Sequence, residues 1–81
     1  MEIHVLYFAA LAERTGCRSE VVEVGPQATV AVLWSLLESR HPALVGLPYR
    51  PAAACDRTWT DWDASLDGVR EVAFVPPVSG G

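Results

Sequence analysis

Apolar side chains at alternating positions predict a strand near each end of the chain. Residues 2–8 are apolar at every position from Ile3 to Phe8 except His4, so both faces of this predicted strand are largely apolar. Residues 70–75 show the same property over their second half. Strands that are apolar on both faces are typical of the centre of a sheet. We therefore predict that these two strands are the central ones.

A helical period of apolar positions predicts the main helix in residues 29–40. Thr29 is a good N-cap residue, and Pro42 ends the helical stretch because proline disfavours helical geometry at the residue before it. The spacing i, i+3, i+4, i+7 is occupied by Val30, Leu33, Trp34 and Leu37. Leu36 is expected to widen this apolar stripe.

Weaker patterns predict the remaining elements. Residues 9–15 favour a short helix that Gly16 closes, and residues 20–24 alternate as a strand. Residues 52–57 predict a weak strand, and residues 58–62 a short strand or a turn. One main helix covers only one face of such a sheet, so the other face is expected to carry an apolar patch suited to a protein interface.

Composition and charge argue against nucleic-acid binding and membrane association. A chain of 81 residues with 51% apolar residues predicts one domain with a compact core. The net charge of −4 argues against nucleic acid as a partner. There is no apolar run of the roughly 20 residues that span a bilayer, and no leader-like segment precedes the first strand, so we expect a cytoplasmic protein without membrane contact.

The cysteines and histidines of the chain form no recognisable catalytic or metal-binding motif. Cys17 and Cys55 lack a paired-cysteine spacing, and with two distant histidines they make a poor ligand set, so no metal site is expected. Cys55 is predicted to be a small core residue and Cys17 to lie in a turn. His4 and His41 are each predicted to stand alone, as structural or solvent-facing residues. The isolated chain is therefore not expected to be an enzyme.

The C-terminal segment is the most specific motif. The last predicted strand is followed by Pro76, Pro77, Val78, Ser79, Gly80 and Gly81. The prolines fix the backbone φ angle, and the two glycines leave a tip without side chains that fits a narrow channel and presents the Gly81 carboxylate. The alternative is a frayed terminus without a role. The predicted organisation is a folded domain in residues 1–75 and a flexible tail in residues 76–81.

Three segments together resemble the family of small, sulfur-carrier subunits of molybdopterin synthase. They are Val5-Leu6-Tyr7-Phe8-Ala9, Ala28-Thr29-Val30 and the whole of residues 71–81. The resemblance implies the ubiquitin-like β-grasp fold. This is an α+β fold with a mixed sheet of four to five strands and one main helix on one face, which agrees with the element order predicted above.

The resemblance also implies a reaction in which this chain is the sulfur donor and not the catalyst. An ATP-dependent activating enzyme adenylates the Gly81 carboxylate, and sulfur transfer converts it to a thiocarboxylate. Residues 76–81 then insert into the large synthase subunit, where the sulfur passes to cyclic pyranopterin monophosphate. The family assembly is a heterotetramer, and the small subunit holds no permanently bound cofactor.

The face away from the main helix is the expected docking surface for the large subunit. The residues predicted to form it are Leu6, Phe8, Trp59, Ala73 and Val75. Ordinary core packing is the alternative for each of them, and it is the favoured role of Trp34 and Trp62.

Three other functions remain open for a chain of this kind. One is a sulfur carrier for thiamine or cysteine synthesis, and another is a protein modifier conjugated through Gly81. The third is an interaction module with an inert tail. The chain has no lysine, which excludes modifier chains linked through its own side-chain amines.

Overall fold

The computed structural model describes residues 1–77 as five strands, two helices and a short 3₁₀ turn. In chain order these are β1 (Glu2–Tyr7), α1 (Ala10–Thr15), β2 (Ser19–Glu23), α2 (Val30–Arg40), the 3₁₀ turn (Pro42–Leu44), β3 (Ala52–Cys55), β4 (Thr58–Thr60) and β5 (Glu71–Val75). Each predicted element is present, with ends that differ by a few residues. The predicted sites Val78, Ser79, Gly80 and Gly81 lie outside the described residues.

The five strands form one mixed sheet in the order β2-β1-β5-β3-β4. β1 and β5 are parallel, and the other neighbouring pairs are antiparallel. The prediction that the first and last strands are central is confirmed, since β5 is the middle strand and β1 lies beside it. With α2 packed on one face, this is the ubiquitin-like β-grasp architecture that the sequence predicts.

Helix α2 supplies one half of the core. Thr29 caps its first turn, because its Oγ1 accepts a hydrogen bond from the Val32 backbone N–H at 3.2 Å. The buried stripe of α2 consists of Val30, Leu33, Trp34 and Leu37. The expectation for Leu36 is wrong, since this residue is 39% exposed. At about 100° per residue Leu36 points roughly 110° away from the centre of the stripe, so it faces solvent.

The other half of the core comes from the sheet. Its inner face carries Ile3, Val5, Tyr7, Val22, Ala53, Cys55, Val72 and Phe74. Trp34 packs at 4.8 Å between ring centroids from Phe74 and at 5.5 Å from Trp62. Trp34 is buried, and the half-buried Trp62 packs against the core and donates its indole N–H to the Pro51 carbonyl at 3.0 Å. Among residues 1–77, neither helix is long and apolar enough to cross a membrane.

Candidate functional site

A row of apolar residues crosses the sheet on the side away from α2. The strand register places Leu6 opposite Ala73, Ala73 opposite Ala54, and Ala54 opposite Trp59. Successive residues of a strand point to opposite faces, and the chain neighbours of Leu6, Ala54 and Ala73 line the core. Trp59 lies on the same side as Ala54, because the two residues are directly opposite each other in the register. All four side chains therefore belong to the uncovered side of the sheet, although they come from four different strands.

A second row lies beside the first, at the end of the sheet where β5 finishes. Val75 is opposite Ala52, and Phe8 continues the alternation of β1 just past its last residue. The backbone N–H of Phe8 donates to the Phe74 carbonyl at 3.2 Å, which keeps this segment on the sheet. We call the two rows together the open face; it consists of Leu6, Phe8, Ala52, Ala54, Trp59, Ala73 and Val75.

The open face has small, buried side chains in its middle and large, exposed side chains at its two ends. Ala54 and Ala73 are each only 8% exposed, whereas Phe8 is 47% and Trp59 is 67% exposed. The small side chains thus lie between large ones that project from the sheet. A polar pair, the exposed His4 opposite the half-buried Glu71, continues the same side of the sheet beyond the apolar rows. An apolar centre with a polar margin is typical of a protein interface.

The structure brings the five predicted interface residues together on this one face. Two members were missed, Ala52 and Ala54, because alanine has low strand propensity and gives no apolar pattern of its own. The signal that could have revealed them is the period of two, since they alternate with Ala53 and Cys55 on the core side. Their role in binding stays a prediction.

The chain leaves the sheet directly from the open face. β5 is the central strand, and its last residue lies beside the end of β1 and the start of β3. Pro76 is half-buried and Pro77 is exposed, so the backbone emerges at the end of the sheet where β5 finishes. The predicted tail therefore starts from a point held by neighbours on both sides.

The hairpin that carries Trp59 is tied to the start of β5. Asp56 and Arg57 form its turn with φ angles of 48° and 70°. The Asp56 carboxylate Oδ1 accepts hydrogen bonds from the backbone N–H groups of Arg70 at 3.1 Å and Glu71 at 3.0 Å. The turn and the central strand are therefore fixed relative to each other, which sets the position of Trp59 at the edge of the open face.

A polar cluster lies at the opposite edge of the sheet. Glu20 faces the core side of β2, opposite Val5, and accepts hydrogen bonds from the Tyr7 hydroxyl at 2.5 Å and Arg40 Nη1 at 2.8 Å. His41 Nε2 lies 2.6 Å from Glu20 Oε2. The prediction that His41 stands alone is thus wrong, whereas His4 is exposed. An inward-facing glutamate in a strand was the available signal, since such a charge requires partners.

Burial and hydrogen bonding shift the pKa values in this cluster. Burial acts to raise the pKa of Glu20, but the hydrogen bonds from Tyr7, His41 and Arg40 outweigh it, and the pKa lies below its ordinary value. Burial, together with the hydrogen bond to Glu20, raises the pKa of Tyr7 far above that of a free tyrosine. Elsewhere, burial raises the pKa of the Cys55 thiol, as expected for a core residue.

The seven side chains of the open face are all apolar, so the chemistry available to them is contact with another surface. The charged cluster around Glu20 belongs to the other side of the sheet, at the far edge. The described part of the site therefore consists of an uncovered apolar face and an adjoining exit point for the chain.

Comparisons with known proteins place the chain among characterised relatives. The chain is 35% identical over 83 aligned residues to the molybdopterin synthase sulfur carrier subunit of Homo sapiens, covering 99% of this chain and 94% of the relative. It is 36% identical to the molybdopterin synthase sulfur carrier subunit of Chlamydomonas reinhardtii, with both chains covered completely.

Solved structures and a family profile extend the comparison. The crystal structure of SAMP1, the small archaeal modifier protein 1 of Haloferax volcanii, superimposes with a TM-score of 0.87 at 29% identity, with all of both chains covered. The profile of the ThiS family matches residues 5–81. With a family profile that spans nearly the whole sequence and relatives above 30% identity over full length, the chain belongs to the ThiS family.

Proposed function

We propose that this chain is a sulfur carrier for molybdopterin synthesis that donates sulfur from a thiocarboxylate on Gly81. The observation that carries the proposal is the full-length identity of 35% and 36% to two proteins named molybdopterin synthase sulfur carrier subunit. The sequence ends in the Gly80-Gly81 tip that such chemistry requires. In this role the chain is the donor subunit, and the catalytic groups belong to its partners.

The chemistry explains why a bare terminal glycine is needed. A carboxylate is a poor electrophile, and its adenylation with ATP by an activating enzyme releases pyrophosphate and installs AMP as a leaving group. A sulfur nucleophile then displaces AMP and leaves the thiocarboxylate. Gly80 and Gly81 have no Cβ to obstruct these attacks. ATP is consumed by the activating enzyme, so no cofactor needs to remain on the carrier.

The position of the exit point supports a role for residues 76–81 as the inserted tail. Six residues reach about 20 Å when extended, which is long enough for a buried active site in a partner. The tail begins at the central strand, so its origin is fixed by pairing on both sides. Pro76 and Pro77 restrict the backbone and thus lower the entropy that threading would cost.

The open face supports a large synthase subunit as the partner. An assembly with two copies of each subunit is what the resemblance to the family implies. The apolar centre of the open face lies next to the exit point, so docking of this face and insertion of the tail can occur together. Trp59 and Phe8 project from the face and are the anchors that we expect to fill pockets on the partner. The free thiols of Cys17 and Cys55 fit a reducing compartment, and we place the protein in the cytoplasm.

Removal of Gly81 tests the proposal. With activating enzyme, ATP and a sulfur source, the full chain should gain about 16 Da, because sulfur replaces oxygen. When the large subunit and cyclic pyranopterin monophosphate are then added, it should lose this gain and support molybdopterin formation. The chain lacking Gly81 should neither gain this mass nor support molybdopterin formation, while its circular dichroism spectrum stays unchanged. Molybdopterin formation by the truncated chain would refute the proposal.

A protein modifier is the second candidate, favoured by the similarity to small archaeal modifier protein 1. In that role the activated Gly81 would form isopeptide bonds with lysines of other proteins. Mass spectrometry of tryptic digests from cells expressing the chain separates the two functions. Gly81-to-lysine adducts would support the modifier, whereas thiocarboxylate and a stable complex with the large subunit would support the carrier.

A further inference from the structure

Three potential metal ligands meet at the edge of the sheet farthest from Trp59. Cys17 lies in the loop between α1 and β2, Glu20 lies in β2, and His41 follows the last residue of α2. One ligand atom from each residue lies within 4.8 Å of the other two. All three residues are half-buried, so they form a cleft-like cluster and not a scatter of surface charges.

We infer that the Cys17 thiolate, the Glu20 carboxylate and the His41 imidazole form a three-ligand Zn²⁺ site, which is separate from the open face and the tail. Sulfur, nitrogen and oxygen ligands together suit zinc and disfavour Mg²⁺ and Ca²⁺, which bind oxygen. Three protein ligands leave a fourth position for water or for a group from another molecule.

The three ligand atoms lie near enough to one another for a tetrahedral zinc ion to bind after small side-chain shifts. With Zn–S near 2.3 Å and Zn–N or Zn–O near 2.0 Å, ligand atoms around zinc are about 3.3–3.5 Å apart. The His41 Nε2 to Glu20 Oε2 distance of 2.6 Å and the limit of 4.8 Å within the cluster bracket this spacing. Side-chain adjustments of roughly 1 Å would bring the three atoms to it.

The surrounding hydrogen bonds are those expected around a ligating carboxylate. Arg40 donates to Glu20 Oε1 and leaves Oε2 as the oxygen nearest to His41. The Tyr7 hydroxyl donates to Oε2 and orients it. Partners of this kind fix the direction of metal-binding carboxylates and histidines in characterised sites.

Cys17 packs against the edge of the hydrophobic core, but its thiol takes no part in the hydrogen bonds to Glu20 that hold the cluster together. Glu20, Tyr7, Arg40 and His41 already hold the end of α2 to β2 by hydrogen bonds. The thiol contributes one long contact, 3.7 Å from Thr15 Oγ1. As a third ligand it would complete a site whose other two members are held in place. The sequence predicted no metal site because only Cys17 and Glu20 are near each other in the chain, and His41 is 21 residues beyond Glu20.

Cobalt titration of the untagged, reduced chain tests this site. Co²⁺ in a tetrahedral site with a thiolate ligand gives intense visible bands and a near-ultraviolet sulfur-to-cobalt charge-transfer band. We expect one equivalent of Co²⁺ to produce both and one equivalent of Zn²⁺ to abolish both. Cys17→Ser should remove the charge-transfer band, and His41→Gln should weaken Co²⁺ binding at least about tenfold.

Matched variants keep the test decisive. Cys55→Ala removes the other thiol and His4→Gln the other imidazole, and both should bind Co²⁺ like the parent chain. Glu20→Gln removes the third ligand but also the partner of three hydrogen-bonding side chains, so this variant can fail to fold. Cys17→Ser is nearly isosteric, and circular dichroism should show that its fold is intact. Absence of the charge-transfer band in the parent chain, or its persistence in Cys17→Ser, would overturn the inference.

Discussion

At the scale of single residues, Glu20 shows how one inward-facing charge is accommodated in a small sheet. Its carboxylate receives hydrogen bonds from the Tyr7 hydroxyl and the Arg40 guanidinium and lies against His41. The Glu20 side chain is 16% exposed, so water supplies little of its solvation. Each donor therefore replaces part of the lost hydration, and loss of one donor leaves a partly buried charge less well satisfied.

The Tyr7→Phe substitution measures this contribution. It removes the hydroxyl that donates to Glu20 and keeps the aromatic ring in the core, so we expect the free energy of unfolding to fall by about 1–2 kcal/mol in urea titrations. Tyr49→Phe is the control, because the structure shows no hydrogen bond from the Tyr49 hydroxyl among residues 1–77. Equal unfolding midpoints for Tyr7→Phe and the parent chain would contradict the assigned role.

At the scale of elements, the turn of the β3–β4 hairpin is hydrogen-bonded to the central strand but has a strained backbone. The Asp56 carboxylate binds the backbone at the start of β5, which connects the hairpin to the central strand. Arg57 has a φ of 70°, a conformation that side chains other than glycine and asparagine rarely adopt. Two-residue hairpin turns with positive φ at both positions favour Asp-Gly for this reason.

Arg57→Gly is therefore expected to stabilise the protein. Relief of the left-handed strain exceeds the extra backbone entropy of glycine in the unfolded chain, for a net gain of roughly 0.5–1 kcal/mol. The thermal midpoint should rise by about 2–6 °C. Asp56→Gly at the neighbouring position should instead lower the midpoint, because it removes the carboxylate that binds Arg70 and Glu71. A lower midpoint for Arg57→Gly would show that the turn is not strained.

At the scale of the whole molecule, the sheet separates two tasks. Its inner face and α2 form the core, and its open face stays uncovered beside the exit of the chain, where we propose that a partner binds. The separation means that the projecting side chains of the open face, Phe8 and Trp59, can be changed with little effect on folding. The first and last strands are adjacent and parallel at the centre, so the predicted tail starts from a strand that is paired on both sides.

Trp59→Ala tests this separation. Trp59 is 67% exposed, so its truncation should change the free energy of unfolding by less than about 0.5 kcal/mol. Its affinity for the large subunit should fall at least tenfold, roughly 1.4 kcal/mol or more, if it is an anchor of the interface. Val32→Ala removes an exposed apolar residue on α2, on the other side of the sheet, and should bind like the parent chain. Calorimetric titration that gives the same affinity for both variants would remove Trp59 from the interface.

The sequence by itself determined the elements, the central place of the first and last strands, and the cap and stripe of α2. These follow from the spacing of neighbouring residues, which reports local geometry directly. Only the tertiary structure decided that Ala54 joins Leu6, Ala73 and Trp59 in one row, because strand register depends on residues far apart in the chain. It alone placed His41 and Cys17 beside Glu20, since the loop before β2 and the end of α2 meet only after the helix has packed on the sheet.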